Sequence, residues 1–228
     1  MKNNFKKNKI CIYSLGRTNS KRCKNKMQRK FFNFSLSEII IKKLSLINKY
    51  DCFFAGYDNY YKKMCKKYDV RFVKRTLKST LSEGPNKEIH SFLKNQNYDY
   101  FLLINPCLPF LSLSTINKFI NFCLKKKTSC SVLTTKKNYF FSKKLKPLNF
   151  NINIDTLNTK HVESIYEFSN CMYFFNKDYF FKNNFYWNWK INEYMVLDNK
   201  IEMHDIDTED DFEIALSIYP NYKKNIFL

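Results

Sequence analysis

The chain has 228 residues, of which 44% are hydrophobic and 18% aromatic, so it can bury a sizeable core and is not an intrinsically disordered protein. No apolar run reaches the ~18 residues of a membrane-spanning helix, and the basic N-terminus lacks a signal-peptide pattern, so we expect a cytoplasmic protein without a membrane span. The net charge of +20 comes from lysines spread along the whole chain, so it does not by itself indicate a nucleic-acid-binding protein.

The cysteine spacing argues against a disulfide framework and against a structural zinc site. The eight cysteines are scattered, no two form a CxxC pair, and most lie in apolar segments. Disulfide frameworks are typical of shorter secreted chains, and structural zinc sites favour closely paired ligands. We therefore expect reduced, mostly buried thiols in an intracellular protein.

Short apolar runs alternate with amphipathic stretches from residue 9 to residue 135. The apolar runs predict strands at 9–15, 51–57, 70–74, 98–105 and 129–135. The amphipathic stretches predict helices at 37–47, 58–68, 85–96 and 114–126, with Ser37 as the N-cap of the first and Pro85 opening the third. Nearly continuous apolar strands that alternate with helices indicate an α/β fold, a Rossmann-like and mostly parallel sheet with helices on both faces.

The regular pattern is interrupted by a polar, irregular segment at residues 136–162, which we interpret as an inserted arm. Strands are predicted again at 165–175 and at 200–207 (KIEMHDID), and a last helix begins at Thr208 with acidic residues in its first turn. There is no internal repeat or low-complexity linker. We expect one domain over residues 1–228 that carries the arm.

A cluster of five cations lies in the loop SLGRTNSKRCKNK (14–26), directly after the first predicted strand. Ligands of open α/β sheets bind at the carboxyl ends of the strands. Backbone N–H groups, Asn19 and Ser20 could donate to phosphate oxygens there, and Arg17 could bind two oxygens at once. The loop has neither the P-loop nor the dinucleotide-binding glycine pattern. Two interpretations stay open, a phosphate-binding loop and a solvated basic loop.

A second cluster, of opposite charge, lies in HDIDTEDDF (204–212). In a strand, Asp205 and Asp207 project from the same face, and His204 projects from the other. Two hard carboxylate oxygens, together with phosphate oxygens and water, suit Mg²⁺. The alternative is a solvated acidic strand end that caps the last helix.

Five stretches of this chain, taken in order, resemble motifs of the acylneuraminate cytidylyltransferase family, the CMP-sialic acid synthetases and their relatives for other nonulosonic acids and Kdo. The resemblance runs from about residue 9 to residue 219, without a match at 136–162. The matching stretches are RTNSKRCKNK (17–26), VRFVKR (70–75), LLINPCLPFLS (102–112), SNCMYFF (169–175) and HDIDTEDDF (204–212). The resemblance implies a nucleotide-diphospho-sugar transferase fold and, because the arm of this family commonly reaches a second subunit, a homodimer.

The resemblance also implies roles for individual residues. Arg17, Ser20, Lys21 and Lys26 would surround the CTP phosphates, together with Asn19 of the same loop. Arg75 and Asn105 would bind the nucleotide or the sugar, and Asp205 and Asp207 would hold Mg²⁺. Arg17, Lys26 and Asp207 would be the catalytic residues. The chain departs from the family pattern at Leu15–Gly16, where the family has Pro-Ala, at Met27, and at Leu111, where the family has an arginine.

The reaction implied is attack by the anomeric hydroxyl of a sugar acid on the α-phosphorus of CTP, with loss of pyrophosphate. Lys136, Lys137, Lys160 and His161 are candidates to bind the sugar carboxylate, and the spacing selects none of them. Trp187 and Trp189 are interpreted as packing residues. The alternatives are a non-catalytic basic protein that binds nucleotides or nucleic acid, or the same reaction with Kdo or another nucleoside triphosphate.

Overall fold

The computed structural model describes residues 10–17, 20–81, 84–153 and 155–227. Nine strands lie in these ranges: β1 (Ile10–Leu15), β2 (Lys30–Phe31), β3 (Phe34–Ser35), β4 (Asp51–Gly56), β5 (Arg71–Lys74), β6 (Tyr100–Ile104), β7 (Cys130–Lys136), β8 (Ile165–Asn176) and β9 (Glu193–Val196). The α-helices are α1 (Leu36–Ser45), α2 (Asn59–Lys67), α3 (Asn86–Ile89), α4 (Leu113–Lys126), α5 (Lys177–Asn183) and α6 (Glu209–Tyr222). Short 3₁₀ helices cover Lys78–Thr80, Ser91–Asn95, Thr159–His161 and Lys223–Asn225.

Seven of these strands form one sheet in the order β5-β4-β1-β6-β8-β7-β9. Strand β1 is parallel to both β4 and β6, and β4 is parallel to β5. Strand β8 runs antiparallel to its neighbours β6 and β7, while β7 and β9 are parallel. The prediction of a mostly parallel Rossmann-like sheet is confirmed. The two short strands β2 and β3 pair separately as a small hairpin.

The central strands are buried on both faces because helices cover both sides of the sheet. Alternate residues of β1 belong to different core clusters, Ile12 to one and Tyr13 to the other. The first cluster is closed by α1, α2, α4 and α6, which contribute large apolar side chains such as Phe119 and Phe212. The second is closed by the 3₁₀ turn Ser91–Asn95, by α5 and by Trp187. This two-sided burial explains why the strand sequences are apolar without alternation.

Several helix and strand predictions need correction. The N-cap of α1 is Ser35 and not Ser37, because Ser35 and Glu38 form a reciprocal capping box. The helix predicted at 85–96 is divided at His90 into α3 and a 3₁₀ turn, and Pro85 is the cap residue of α3. Strands β2, β3 and β9 and helix α5 were not predicted, since each has at most seven residues and a weak periodic signal.

The stretch predicted as a strand at 200–207 is not one. Residues 201–203 form turns, and 204–207 belong to no helix or sheet. The backbone N–H of Ile206 donates to the carbonyl of Cys107 at 3.0 Å, so the stretch runs beside the segment that follows β6. A single bond of this kind does not make a ladder, and the sheet positions are already filled by β6, β8 and β7.

The segment expected to be an arm connects β7 to β8. In its described residues, one isolated bridge joins Phe141 to Pro147 and one 3₁₀ turn covers Thr159–His161. Several of its large apolar side chains are exposed, Leu145 by 79% and Leu157 by 85%. The exposure is compatible with the expected homodimer, which stays a prediction.

Two further expectations concern thiols and membranes. All eight cysteines are free, and six of them are buried, as the sequence predicts. None of the helices within the described ranges combines the length and the apolar content that crossing a bilayer requires.

Removing the cap of α1 is expected to destabilise the protein. The Ser35 hydroxyl accepts from the N–H of Glu38 at 3.2 Å and also contacts the Tyr60 hydroxyl at 2.8 Å. Ser35→Ala should therefore lower the free energy of unfolding by about 1–2 kcal/mol in urea titrations. Ser45→Ala, near the other end of α1, is the control and should cost less than half as much, because the Ser45 hydroxyl donates to the carbonyl of Lys42 within the same helix. Equal losses in the two variants would contradict the assigned cap.

Candidate active site

A cleft of about 360 Å³ opens at the carboxyl ends of β1, β5 and β6. Segments from distant parts of the chain line it: the loop after β1, the residues after β5, the residues after β6, two residues of β8, and the stretch before α6. The lining includes Gly16, Arg17, Ser20, Lys26, Arg75, His90, Asn105, Cys107, Asn170, Tyr173, Tyr186, Asp205 and Asp207. The basic and acidic clusters, almost 200 residues apart in the sequence, therefore meet in one cleft.

Lys26 and Asp207 make one of the direct contacts between these two clusters. The Nζ of Lys26 donates to Oδ1 of Asp207 at 3.0 Å and also to the backbone carbonyl of Ile206. Only 11% of the Lys26 side chain is exposed. Burial alone would lower the pKa of Lys26, but Cys107 and the Asp207 carboxylate favour the ammonium, and the net result is a raised pKa. Lys26 is therefore a fixed positive charge at the wall of the cleft.

Asp205 is held at the base of the cleft by Asn105. The Asn105 amide donates to Oδ2 of Asp205 at 3.1 Å and to the carbonyl of Asn170 at 2.8 Å, and its own oxygen accepts from the N–H of Cys107 at 3.0 Å. Burial, with a smaller contribution from Asp207, raises the pKa of Asp205 to about 6. The amide predicted to reach nucleotide or sugar is thus engaged in positioning a carboxylate.

The donor set of this cleft fits a divalent cation bound mainly through its substrate. Oδ1 of Asp205 is buried and has no hydrogen-bond partner in the described part of the chain, and Asp207 lines the same cleft. Over these residues no group of three or more His, Cys, Asp or Glu side chains gathers as a metal cage. Mg²⁺ in nucleotide enzymes commonly takes one or two carboxylates and completes its shell with phosphate oxygens and water, so two carboxylates suffice.

Arg75 connects three segments around the cleft. Its guanidinium donates to the carbonyl of Gly16 at 3.2 Å, to the hydroxyl of Ser79 at 3.3 Å and to the carbonyls of Ser79 and Ile89. These bonds use four of the five N–H groups of an arginine, which leaves at most one for a ligand. Burial lowers the pKa of Arg75 to about 10, so it stays charged at neutral pH. The nucleotide contact expected of Arg75 stays a prediction. Its role in joining three segments of the chain was not predicted from the sequence.

Some of the other predicted residues of the first loop line the cleft and others do not. Arg17 and Ser20 line the cleft, whereas Lys21 has an exposed side chain and is not part of the lining. Asn19 lies outside the described residues. Gly16 is required by packing, because a Cβ there would come within 2.8 Å of the Phe54 ring.

The remaining departures from the family pattern, and His204, have structural roles. Met27 and Leu111 are both buried in the first core cluster, Met27 at the wall of the cleft. The Nε2–H of His204 donates to the carbonyl of Asp211 at 2.8 Å, and the side chain does not line the cleft.

A buried histidine between two tyrosines supports the cleft on the side of Arg75. Nδ1 of His90 contacts the Tyr13 hydroxyl at 3.0 Å, and Nε2 contacts the Tyr186 hydroxyl. Burial, and secondarily the charge of Arg75, lowers the pKa of His90 to about 3. The sequence showed only a lone histidine inside a predicted helix and aromatic residues far away, so nothing in it indicated this contact.

Because His90 is neutral in the folded protein, we expect the free energy of unfolding to depend on pH in a defined way. The folded pKa lies below the ordinary value of 6.5, so protons bind the unfolded chain preferentially as the pH falls from 6.5 towards 3. The stability that neutral His90 provides above pH 6.5 is lost across this window, by at most ~1.4 kcal/mol per pH unit. His90→Gln should therefore be less stable than the wild type at pH 7, and the gap should shrink as the pH falls to 4.5. A gap that stays constant in urea titrations would contradict this prediction.

A second cavity of about 320 Å³ adjoins the first and shares Asn170 and Asp205 with it. Its wall carries hydroxyl groups from Thr134, Thr135 and Ser169. Its charged residues are Lys136, Glu167, Asp198 and Lys200, in addition to Asp205. Lys136 is paired with Glu167 at 2.9 Å. Of the candidates for a carboxylate ligand, only Lys136 lines this cavity, and Lys200 was not foreseen. Lys137, Lys160 and His161 are exposed and line neither cavity.

The fold is shared with solved nucleotidyltransferase structures. A CMP-2-keto-3-deoxy-manno-octonic acid synthetase solved in complex with CTP superposes with a TM-score of 0.69 at 8% identity, over 93% of this chain and 99% of that one. A 4-diphosphocytidyl-2C-methyl-D-erythritol synthase from Anaerococcus prevotii gives 0.65 at 13% identity, over 94% and 97% of the two chains. A cytidylyltransferase from Leptospira borgpetersenii gives 0.61 at 12% identity, over 94% and 88%.

Sequence comparison identifies the family. No curated protein sequence matches the chain significantly. The family model described as cytidylyltransferase matches residues 15–227, which is nearly the whole chain and includes both charged clusters. The expectation of a nucleotidyltransferase is confirmed at this level, and the narrower assignment to the acylneuraminate branch stays a prediction. The chain belongs to the cytidylyltransferase family.

Proposed function

We propose that the protein transfers the cytidylyl group of CTP, in the presence of Mg²⁺, to a hydroxyl of a sugar acid of the nonulosonic type and releases pyrophosphate. The observation that carries the proposal is the convergence of Lys26, Asp205 and Asp207 in one cleft that continues into a second cavity. Family membership and the CTP complex of a similar structure support the choice of nucleotide.

The residues of the first cleft suit a triphosphate. Arg17, Ser20 and Lys26 offer cationic and hydroxyl donors beside the carboxyl end of β1. Asp205 and Asp207 would hold Mg²⁺, which when bound neutralises phosphate charge and acidifies the attacking hydroxyl. Lys26 would stay fixed by Ile206 and offset the charge that develops on pyrophosphate. Phosphoryl-type transfer needs mostly positioning and electrostatic stabilisation, and these side chains provide both.

The second cavity supports a hydroxyl-rich acceptor with little negative charge. Its hydroxyl and amide groups match the hydroxyls of a sugar, and Asp205 connects it to the first cleft. Its carboxylates Glu167, Asp198 and Asp205 outnumber its lysines, and Lys136 is already paired. A phosphorylated acceptor with two negative charges would be repelled there. Lys200 is the residue that we assign to the single carboxylate of a sugar acid.

The decisive experiment measures pyrophosphate release from CTP with a panel of acceptors. The panel contains sialic, legionaminic, pseudaminic and Kdo-type acids, and a phosphorylated polyol as the contrasting acceptor. Release with one of the sugar acids and none with the phosphorylated polyol is expected. Release with the phosphorylated polyol alone would reject the sugar-acid assignment, and no release with any acceptor from folded protein would reject the proposed function. Thermal-shift measurements with CTP, UTP, GTP and ATP check the choice of nucleotide.

A further inference from the structure

Asp207 is contacted by two cations that differ in their freedom to move. Oδ1 of Asp207 lies 3.0 Å from Nζ of Lys26 and 3.0 Å from Nη2 of Arg22. The Lys26 side chain is 11% exposed, and it has a second partner in the carbonyl of Ile206. The Arg22 side chain is 67% exposed. An exposed ion pair of this kind contributes little stability and exchanges easily, whereas a buried lysine with two acceptors does not.

The backbone that carries Arg22 is held firmly beside the start of α6. Cys23, the next residue, is fully buried in the first core cluster. The N–H of Lys24 donates to Oε1 of Glu209 at 3.1 Å, and Arg29 pairs with the other oxygen of the same carboxylate. The backbone next to Arg22 is therefore anchored, while the Arg22 side chain itself is exposed.

The positive and negative side chains around Asp207 nearly cancel in charge when no ligand is bound. Lys26 and Arg22 face Asp207, and Asp205 lies close enough to interact electrostatically with it. A divalent cation that approaches Asp207 meets the guanidinium of Arg22 on the same carboxylate oxygen. A triphosphate in the cleft offers Arg22 a bidentate acceptor of higher charge than one carboxylate.

On the basis of the proposed function, we propose that Arg22 occupies Asp207 in the free protein, competes there with the divalent cation, and moves to the phosphates when nucleotide binds. The Arg22 side chain thus leaves Asp207 when nucleotide binds, whereas Lys26 keeps its contact with Asp207. The arrangement makes the cation bind weakly without nucleotide and well with it. A divalent cation that binds without nucleotide would therefore dissociate readily.

The test compares Arg22→Gln with Lys24→Gln, which removes one charge from an exposed residue of the same loop. Titration calorimetry measures Mn²⁺ binding to nucleotide-free protein, and CTP binding in the presence of Mg²⁺ without acceptor. Arg22→Gln should bind Mn²⁺ about two- to fivefold more tightly, because a competing exposed ion pair is lost. It should bind CTP about tenfold or more weakly, because a charge-assisted bond to phosphate is lost. Lys24→Gln should change both affinities by less than about twofold, and Arg22→Lys should lie between the wild type and Arg22→Gln.

Opposite changes in the two affinities are the signature of exchange, since simple misfolding would weaken both. If Arg22→Gln bound Mn²⁺ no more tightly than Lys24→Gln does, competition at Asp207 would be refuted. If it bound CTP as the wild type does, movement to the phosphates would be refuted. Failure of the proposed function would look different, because the wild type would then bind CTP without releasing pyrophosphate with any acceptor.

Discussion

Replacement of Asp207 by asparagine is expected to lower kcat/KM by about 10²- to 10³-fold, the range found when one preorganised charged or polar group is removed from an active site. The substitution removes one of the two carboxylates that would hold Mg²⁺ and weakens the contact that orients Lys26. Lys26 keeps its bond to the carbonyl of Ile206, so the ammonium stays in the cleft. The measurement is pyrophosphate release from CTP with an acceptor that the wild type uses.

The fold should survive this change. Asp207 is 42% exposed, and its ion pairs with Arg22 and Lys26 lie at the edge of the cleft, so the loss of unfolding free energy should stay near 1 kcal/mol. Asp210→Asn is the matched control, because Asp210 is an exposed acid in the first turn of α6 and lines neither cavity. It should keep nearly full activity. If Asp207→Asn kept more than about a tenth of the wild-type activity, the role assigned to Asp207 would be wrong.

The same variant separates an enzyme from a basic polyanion-binding protein. A protein that binds RNA only through its positive charge would lose affinity steeply with salt and would be insensitive to the loss of one carboxylate. An enzyme loses turnover when Asp207 is replaced, whatever its affinity for RNA.

Arg75→Lys is expected to lower the free energy of unfolding by about 2–4 kcal/mol. Arg75 is 2% exposed, and its planar guanidinium bridges the carbonyls of Gly16, Ser79 and Ile89. A lysine has one nitrogen and cannot reach three acceptors in different directions, so buried carbonyls lose their donors at a cost of about 1–3 kcal/mol each. Urea titration measures the loss.

The loss should extend to ligand binding, because Arg75 ties the loop after β1 to the segment after β5. Weaker CTP binding in calorimetry is therefore expected for Arg75→Lys, even though most of its N–H groups contact protein. Arg71→Lys, at the start of β5, is the control, since Arg71 is exposed and contacts Gln96 at 2.9 Å. It should cost less than about 1 kcal/mol and leave CTP binding unchanged. Similar losses of stability and of CTP affinity in both variants would contradict the role of Arg75 in joining these segments.

The sheet could be predicted because its signal is local. Apolar runs such as residues 9–15 and 98–105 are long enough to show that a strand is buried on both faces, and the amphipathic helices between them indicate parallel connections. The short elements gave no such signal. The four-residue strand β9 lies at the edge of the sheet. In the sequence Ser37 stands closer to the apolar residues of α1 than Ser35 does, and the reciprocal bonds between Ser35 and Glu38 are seen only in the structure.

The candidate site was predictable in its charges and not in its contacts. The basic loop and the acidic pair could be read from the sequence, as could the cleft edge at which the loop lies. The sequence predicts a strand at 200–207. The structure has none there, yet Asp205 and Asp207 line one cleft because the segment after β6 holds Ile206 through Cys107. The functions of Asn105 and Arg75 as positioning groups depend on partners 65 and 59 residues away.

By itself, the sequence predicted an α/β fold with a cationic loop near its first strand and two aspartates near its last helix, and its resemblance to a known family predicted a nucleotidyltransferase. Only the tertiary structure decided that Lys26 contacts Asp207, that His90 is buried between two tyrosines, and that Arg22 shares the carboxylate of Asp207. The physical reason is that the patterns that indicate strands and helices involve residues that are close together in the sequence. Hydrogen bonds and ion pairs across a cleft depend on the distance and direction between side chains that the chain brings together only when it folds.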